Sequence, residues 1–358
     1  MSPVSRPLVL TADERMLDDV LRLAAAAGVE VDLVTEAGAA RARWPGAPLV
    51  VVGDDQAGQL LALGPPRRQG VVLVCLADDG AATWRRAVGL GAERVVRLPA
   101  EESLLVDAFA DVAEGAEAQR ALVLGVVGGR GGAGASVLAA ALAMTGTHRG
   151  LATMLIDVDP LGGGLDLVMG AEHSGGLRWP DLADTRGRVS GSTLRGHLPE
   201  PHGLTVLSWD RGDVLGVPPE AMRAVTAAAR RSWELVVLDL PRRLDAATEE
   251  ALAGCGCVLL VVPAEVRAVA AASRVAAGIG VVAADIRVVV RSPSPSGLRA
   301  PEVAAALGLP LAAQLDAEPG LVEALERGEP PCRSGRGPLA DECGRLLEDL
   351  RADGTRAA

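Results

Sequence analysis

The chain has 358 residues and is 49% hydrophobic, which is enough for two or three domains with sizeable cores. It carries 46 acidic against 35 basic side chains, and this net charge of −11 disfavours non-specific binding to nucleic acid. It contains no lysine, asparagine or tyrosine, so every basic side chain apart from four histidines is an arginine.

The cysteines and the N-terminus indicate the compartment. Five scattered cysteines without metal-ligand spacing are typical of a reducing environment, and we interpret Cys255 and Cys257 as small buried residues beside a strand. The first residues lack the pattern of a signal peptide, and no run of 18 apolar residues predicts a membrane span. We therefore expect a cytoplasmic protein.

The first 115 residues alternate short Val/Leu-rich runs with helical patterns. Buried apolar strands that alternate with helices predict a parallel sheet with right-handed crossovers. The five predicted strands cover residues 7–12, 29–34, 48–53, 70–76 and 93–98. This pattern resembles the flavodoxin-like receiver domain of response regulators, and we assign it to residues 1–115.

The residues for phosphoryl chemistry are incomplete in this receiver-like domain. Asp13 and Glu14 are candidates for an acidic cluster, and Asp54 lies near the position of a phosphoryl acceptor. However, residues 76–77 are Leu-Ala where a receiver needs a hydroxyl, and Leu98 stands where it needs a lysine. Phosphoryl charge would be poorly neutralised there, so we predict a pseudo-receiver that is not phosphorylated.

A second α/β pattern follows a short polar linker at residues 116–121. The predicted strands cover residues 122–128, 151–160, 204–209, 233–241, 257–263 and 286–291, followed by helix, short strand and helix over 301–331. We assign residues 122–335 to a second domain with a mostly parallel sheet, and residues 336–358 to a C-terminal helix or tail.

The stretch GVVGGRGGAGAS at residues 125–136 joins the first of these strands to a helix. From Gly129 to Ser136 it reads G-x-x-x-x-G-A-S, which is a phosphate-binding loop in which Ala135 replaces the usual lysine. Glycines at such a turn allow backbone N–H groups to point at phosphate oxygens. The candidate nucleotide-binding residues are Gly129, Arg130, Gly131, Gly132, Ala133, Gly134, Ala135, Ser136 and Val137.

Three carboxylates follow two of the strands. Asp157 and Asp159 lie in LIDVDP, at the end of the second strand. Asp239 lies in VVLDLP after four apolar residues, the position from which a Walker B carboxylate holds the water shell of Mg²⁺. We expect them at adjacent strand ends near a topological switch point, where ligands bind in such sheets. The hydroxyl of Ser136 is a further candidate for Mg²⁺.

These segments together resemble the MinD/ParA-type P-loop ATPases with a deviant Walker A loop. The matching stretches are RGGAGAS, LIDVDPLGGGLDLVMG, ELVVLDLP and LGLPLAAQLDAEPGLVEALERGEPP, within residues 120–335. The resemblance implies a three-layer α/β/α P-loop NTPase domain of the SIMIBI, MinD-like class. With a receiver-like domain before it, the chain resembles the CpaE/TadZ branch, and within it the actinobacterial septum-site-determining (Ssd), CpaE-like proteins.

The resemblance also implies roles for individual residues. Arg130 falls on the signature lysine that reaches the partner's phosphates in a dimer, and Ala135 on the P-loop lysine. The implied Mg²⁺ ligands are Ser136, Asp157 and Asp239. Asp157 and Asp159 would position the attacking water if the site is active. The base-reading asparagine of the family would fall near residues 290–291, where this chain has Val-Arg.

We therefore expect a positioning or regulatory protein that binds ATP and Mg²⁺ at a degenerate site, forms a homodimer and recruits cell-division or pilus-secretion proteins at the septum or the cell pole. A weak dimer-activated ATPase and a nucleotide-free scaffold are the alternatives. The acidic C-terminal helix does not favour anionic lipid, so we expect no direct membrane anchor. One predicted helix carries Arg223, Arg230 and Arg231. We interpret these arginines as a solvent-exposed face of the helix rather than as a contact surface for nucleic acid.

Overall fold

A computed structural model describes residues 6–68, 70–76, 80–113, 121–185, 189, 191–294 and 297–357. The chain divides into two compact units, Met1–Gln119 and Arg120–Ala358. The predicted linker at 116–121 lies outside the described residues except for Ala121. Each unit has its own parallel sheet and its own cores, so each is described by itself.

The first unit has the strand order β2-β1-β3-β4-β5. The strands are β1 (Leu8–Leu10), β2 (Asp32–Val34), β3 (Val50–Gly53), β4 (Val71–Cys75) and β5 (Arg94–Arg97), and all pair in parallel. The helices are α1 (Glu14–Ala26), α2 (Ala37–Arg43), α3 (Asp54–Ala62), α4 (Ala81–Leu90) and α5 (Glu102–Ala113). This order is that of flavodoxin-like domains, so the predicted receiver fold is confirmed.

The second unit contains a seven-stranded sheet in the order β12-β11-β10-β6-β9-β7-β8. The strands are β6 (Leu122–Gly128), β7 (Thr153–Asp157), β8 (Thr205–Leu207), β9 (Leu235–Leu240), β10 (Cys257–Pro263), β11 (Ile286–Arg291) and β12 (Leu311–Leu315). Every described pairing is parallel. All seven strands lie at positions that the apolar runs predicted.

The helices of the second unit cover both faces of the sheet. They are α6 (Ala135–His148), α7 (Leu165–Val168), α8 (Trp179–Leu182), α9 (Gly191–His197), α10 (Pro219–Ser232), α11 (Ala246–Ala253), α12 (Val266–Ile279), α13 (Ala300–Leu307), α14 (Leu321–Glu326) and α15 (Pro338–Ala357). One core packs α10 and α12 against one face, and the other packs α6 and α15 against the opposite face. The predicted α/β/α layering is therefore confirmed.

The C-terminal helix α15 belongs to this second core. Its apolar face is buried against α6 and β12 through Leu339, Cys343, Leu346, Leu347 and Leu350. Its acidic residues face outward, with Asp341, Glu348 and Asp349 exposed. In the part of the chain that the structure describes, every helix is too short or too polar to span a bilayer.

The topology brings the candidate site together at one edge of the sheet. Strand β6 lies between β9 and β10. The connection after β6 runs toward β7 on one side, and the connection after β10 runs toward β11 on the other, so the topological switch point lies between β6 and β10. Because all the strands are parallel, the loops that follow β6, β7, β9, β10 and β11 meet at the same edge.

Candidate functional site

The loop after β6 has the shape of a phosphate cradle. Gly132 and Gly134 adopt positive φ angles of 70° and 95°, which residues with a Cβ rarely adopt. The N–H of Gly129 donates to the carbonyl of Val261 on β10 at 2.8 Å, which anchors the start of the loop. Helix α6 begins at Ala135 without a side-chain cap, so its first N–H groups are available to an anion.

Gly129 also permits close packing behind the loop. A Cβ on this residue would lie 2.7 Å from the Cβ of Ala272 on α12, well inside van der Waals contact. The loop is therefore held between β10 and α12, which fixes where a bound phosphate would stand.

Ser136 and Asp239 face each other across the site. The Asp239 carboxylate is buried at the end of β9, and the nearby Ser136 hydroxyl acts to lower its pKa. Asp157 on the neighbouring strand β7 is the register partner of Asp239. All three residues line a cleft of about 630 Å³ that also includes glycines 162–164.

The two buried carboxylates have raised pKa values. Burial raises the pKa of Asp239 to about 7; the hydrogen bond from Ser136 opposes this shift, and the negative charges of Asp157 and Asp159 add to it. Burial likewise raises the pKa of Asp157 to about 6, against hydrogen bonds that lower it. Arg211 exerts only a lesser Coulombic attraction on Asp157, and desolvation is the largest cause of both shifts. The site therefore favours a bound cation.

Asp157 holds the loop that follows β7. Its carboxylate accepts from the N–H groups of Asp159 at 3.1 Å and Leu165 at 3.0 Å, and from the hydroxyl of Ser208 at 3.1 Å. Asp159 is half-buried, and its Oδ1 accepts from the N–H of Leu161 at 3.0 Å. Asp157 thus positions Asp159 and the glycine-rich stretch beside the cleft.

The donor set of this cleft suits Mg²⁺ shared with a ligand. Carboxylate and hydroxyl oxygens are hard ligands, and Mg²⁺ binds through one or two carboxylates plus substrate phosphates and water. Ser136 and Asp239 supply such oxygens beside the phosphate loop. Among the described residues no group of three or more His, Cys, Asp and Glu is arranged to hold a metal by itself.

Arg130 is engaged within its own chain. Its Nη2 lies 2.9 Å from Oε1 of Glu265, which precedes α12, while its Nε is buried without a hydrogen-bond partner. The structure therefore places the guanidinium at the foot of the loop, directed toward β10 and α12.

A second, more apolar cavity adjoins the loop. Its volume is about 360 Å³, and it lies beside Gly134, between the ends of β10, β11 and β12 and helix α14. Val137, Leu138 and Leu321 contribute apolar surface, and Arg291 contributes a guanidinium. Cavities of this size and lining suit a planar base or a similar small group.

Several residues of the site were missed by sequence reasoning. Asp166 is buried and forms a bidentate ion pair with Arg211, which holds α7 at the edge of the cleft. Trp179 on α8 donates its Nε1–H to the carbonyl of Asp157 at 2.6 Å. Only the glycine-rich stretch before Asp166 signalled a function, because the other contacts join segments that are distant in the sequence.

The receiver-like unit uses its acidic residues for structural contacts. Asp13 caps α1 by accepting from the N–H groups of Arg15 and Met16. Asp54, at the acceptor position, forms an ion pair with Arg86 on α4 and accepts from the Thr83 hydroxyl at 3.3 Å. Leu98 is buried, and Ala77 lies outside the described residues.

Other candidate groups have structural roles. On α10, Arg223 pairs with Glu250 in a bidentate arrangement, and Arg231 donates to the carbonyl of Val189 at 3.2 Å. Burial raises the pKa of both Cys255 and Cys257 to about 12, which keeps these thiols protonated at neutral pH.

The comparisons with known proteins agree with this architecture. Residues 10–120 match the profile of the CheY-like N-terminal domain of Rv3660c-like proteins. The protein Rv3660c of Mycobacterium tuberculosis (strain ATCC 25618 / H37Rv) is 41% identical over 350 residues, which cover 97% of this chain and 98% of that protein. A putative septum site-determining protein MinD of Nephroselmis olivacea is 24% identical over 218 residues, which cover 58% of this chain and 78% of that protein.

Solved structures resemble the second unit. The MinD cell division protein of Aquifex aeolicus has a TM-score of 0.54 and 20% identity, and the match covers 65% of this chain and 97% of that one. A ParA family ATPase from Chlorobium tepidum TLS has a TM-score of 0.58 and 15% identity, and the match covers 64% of this chain and 98% of that one. The septum site-determining protein MinD of Pyrococcus horikoshii OT3, complexed with Mg-ADP, has a TM-score of 0.50 and 17% identity. That match covers 64% of this chain and 95% of the other. The chain thus combines a CheY-like N-terminal domain with a MinD-like P-loop domain.

Proposed function

Because this chain belongs to the family of the Mycobacterium tuberculosis protein Rv3660c, with a CheY-like and a MinD-like domain, we propose that it is a nucleotide-dependent positioning protein. It binds Mg²⁺ and ATP at the loop 129–137, and nucleotide binding promotes a homodimer that recruits cell-division or pilus-secretion proteins. The proposal places it in the septum-site-determining, CpaE-like branch of the MinD/ParA family. Its location follows that of its partners, at the septum or the cell pole.

One observation carries the proposal. The Ser136–Asp239 pair faces a shared cleft beside an uncapped helix start and a glycine loop with two positive φ angles. A phosphate at the α6 N-terminus would share a Mg²⁺ ion with this pair. The cavity beside Gly134 would then accept the base.

The same site favours binding over turnover. The P-loop lysine neutralises charge on the β- and γ-phosphates, and position 135 is alanine in a chain without any lysine. Loss of one electrostatic donor to a transition state costs about 10²-fold or more in rate. Arg130 is paired with Glu265, which competes with a role in a partner's site. We therefore propose that hydrolysis is weak or absent and that the bound nucleotide acts as a signal.

Recruitment is proposed to go through protein partners. The apolar face of α15 is buried against α6, and its exposed surface is acidic. Neither feature favours insertion into an anionic membrane. A partner protein at the septum or pole is the better source of localisation.

The proposal is tested by calorimetric titration of the full chain with Mg-ATP, with phosphate release followed in the same samples. Asp239→Ala should abolish Mg²⁺-dependent binding, whereas Asp213→Ala, a change at an exposed loop residue, should leave it intact. Sedimentation with and without Mg-ATP measures the dimer.

Each alternative has its own result. Clear turnover above the Asp239→Ala background would establish the weak ATPase instead. No binding at millimolar ATP would leave a nucleotide-free scaffold. A wild-type chain that binds Mg-ATP but stays monomeric would remove dimerisation from the proposal and keep the ligand.

A further inference from the structure

We propose that the Arg291 guanidinium supplies the positive charge at the nucleotide phosphates that Ala135 does not supply. This inference rests on the proposed function, since it assumes that a nucleotide binds at the loop 129–137. It assigns a phosphate-binding role to a residue on a different strand from the loop.

The backbone at Arg291 is fixed from both sides. Arg291 is the last residue of β11 and lies in register with Pro263 on β10 and Leu315 on β12. Its carbonyl accepts from the N–H of Ala264 at 3.1 Å, and the N–H of Ser292 donates to the carbonyl of Leu315 at 2.7 Å. The side chain therefore starts from a rigid point at the edge of the sheet.

The side chain reaches the phosphate loop. Nη1 of Arg291 lies 3.2 Å from the point where a Cβ on Gly134 would stand, and its Cδ lies 3.9 Å from that point. Gly134 immediately precedes Ala135, the position of the missing lysine. The guanidinium thus lies at the N-terminus of α6, where both the helix dipole and the loop N–H groups attract an anion.

The charge of Arg291 is available to a ligand. Arg291 is half-buried, and within the described part of the chain it forms no ion pair or side-chain hydrogen bond, although three carboxylates line the same cavity. Two of these are engaged elsewhere, since Glu265 pairs with Arg130 and Glu318 accepts from the N–H of Leu339 at 2.9 Å. A guanidinium offers five N–H donors in a fork that matches phosphate oxygens.

Two other arginines near the loop fit this role less well. Arg130 already pairs with Glu265. Arg242 has its Nη2 3.6 Å from the Cβ position of Gly131, but it is exposed, so solvent and salt screen its charge. Arg291 is half-buried, extends from a backbone position that is held on both sides, and has no ion-pair partner among the described residues.

The test is the affinity of the full chain for Mg-ATP, Mg-ADP and adenosine, measured by calorimetry for wild type and three variants. Arg291→Ala should weaken ATP binding about tenfold or more, as expected for loss of a charge-assisted hydrogen bond to phosphate. Adenosine, which has no phosphate, should lose much less affinity than ATP, although Arg291 also lines the cavity proposed for the base. Arg291→Lys should retain part of the ATP affinity, and Arg336→Ala, which removes an exposed arginine from the same unit, should retain all of it.

A double-mutant cycle sharpens the test. Ala135→Lys restores the missing cation, so Arg291→Ala should cost less ATP affinity in that background than in the wild type. If Arg291→Ala reduces ATP affinity equally in the wild type and in the Ala135→Lys variant, Arg291 does not replace the missing lysine, and the proposal is overturned. An equal loss for adenosine and ATP would make Arg291 a base or sugar contact and overturn the proposal, as would an unchanged ATP affinity. A wild-type chain that binds no nucleotide would overturn the proposed function as well, and that failure is visible without any variant.

Discussion

Asp157 and Asp239 lie side by side on adjacent strands, yet they have different tasks. Asp157 accepts three hydrogen bonds from the chain, two of them from the loop that follows it. Among the described residues, only the Ser136 hydroxyl acts as a side-chain hydrogen-bond donor on the pKa of Asp239. We infer that Asp239 is the main metal-facing carboxylate and that Asp157 organises the loop. The sequence predicted both positions, but it could not distinguish the roles, because one partner of Asp157, Ser208, is 51 residues away in the sequence.

The buried Asp239 makes stability depend on pH. Its pKa rises from an ordinary 3.8 to about 7 in the folded chain, so between these values the folded state holds a proton that the unfolded state has released. Stability from this group is therefore present at low pH and is lost as the pH rises through about 7. We predict that Asp239→Asn, which cannot ionise, is stabilised relative to wild type on the order of 2 kcal/mol or more at about pH 8, and by much less at about pH 5.

Urea unfolding at the two pH values measures this difference. Asp213→Asn, at an exposed loop position, is the matched control and should follow the wild type at both. If the unfolding free energy of Asp239→Asn instead changes with pH as that of the wild type does, the Asp239 carboxyl is ionised at little cost in the folded chain. A nearby cation must then compensate its charge.

The elements of the fold differ in how well the sequence predicts them. The strands were predictable because strands buried on both faces are nearly continuous apolar runs. Helices α7, α8 and α9 were not, since they have only four to seven residues and depend on distant contacts such as the ion pair between Asp166 and Arg211. The acidic outer face of α15 was predictable from the sequence, but the packing of this helix against α6 was not.

The contact between α3 and α4 supports the prediction that the receiver-like unit is not phosphorylated. Asp54 begins α3, and Arg86 on α4 holds both of its carboxylate oxygens, at 2.8 Å through Nε. A guanidinium thus occupies the place where a receiver would bind Mg²⁺ and a phosphoryl group. Leu98 adds no charge where the lysine should be.

We predict that acetyl phosphate with Mg²⁺ adds no phosphoryl group to the full chain, as read by intact mass. Arg86→Ala should not restore the reaction, because it frees the carboxylate without supplying the missing lysine and hydroxyl. The Asp54→Asn variant gives the background mass increase that does not depend on Asp54. A mass increase in the wild type that Asp54→Asn abolishes would make this unit a working receiver.

At the scale of the whole molecule, the order of the two α/β units followed from the sequence, because each presents its own alternation of strands and helices. The proximity of Arg291 to Gly134 did not follow, because 157 residues separate them and only the parallel sheet brings them to one edge. The two units also have separate hydrophobic cores. Separate cores are the physical basis for separate unfolding.

We predict that differential scanning calorimetry resolves two unfolding transitions and that Mg-ATP raises the midpoint of only one. A ligand stabilises the cooperative unit to which it binds, by about 2.7 kcal/mol at a hundredfold excess over its Kd. Leu238→Ala, in the core of the second unit, should lower the ATP-responsive transition, since such truncations cost about 2–5 kcal/mol. Leu60→Ala, in the core of the first unit, should lower the other transition.

The two leucines are matched because both are fully buried in the sheet or a helix packed on it. If instead a single transition is seen, and its midpoint shifts with ATP and with either variant, the two units unfold together. Nucleotide binding at the phosphate loop then also stabilises the receiver-like unit. That result would give the receiver-like unit a route to sense nucleotide without any phosphorylation of Asp54. Two independent transitions would confine the nucleotide signal to the MinD-like unit and its partners.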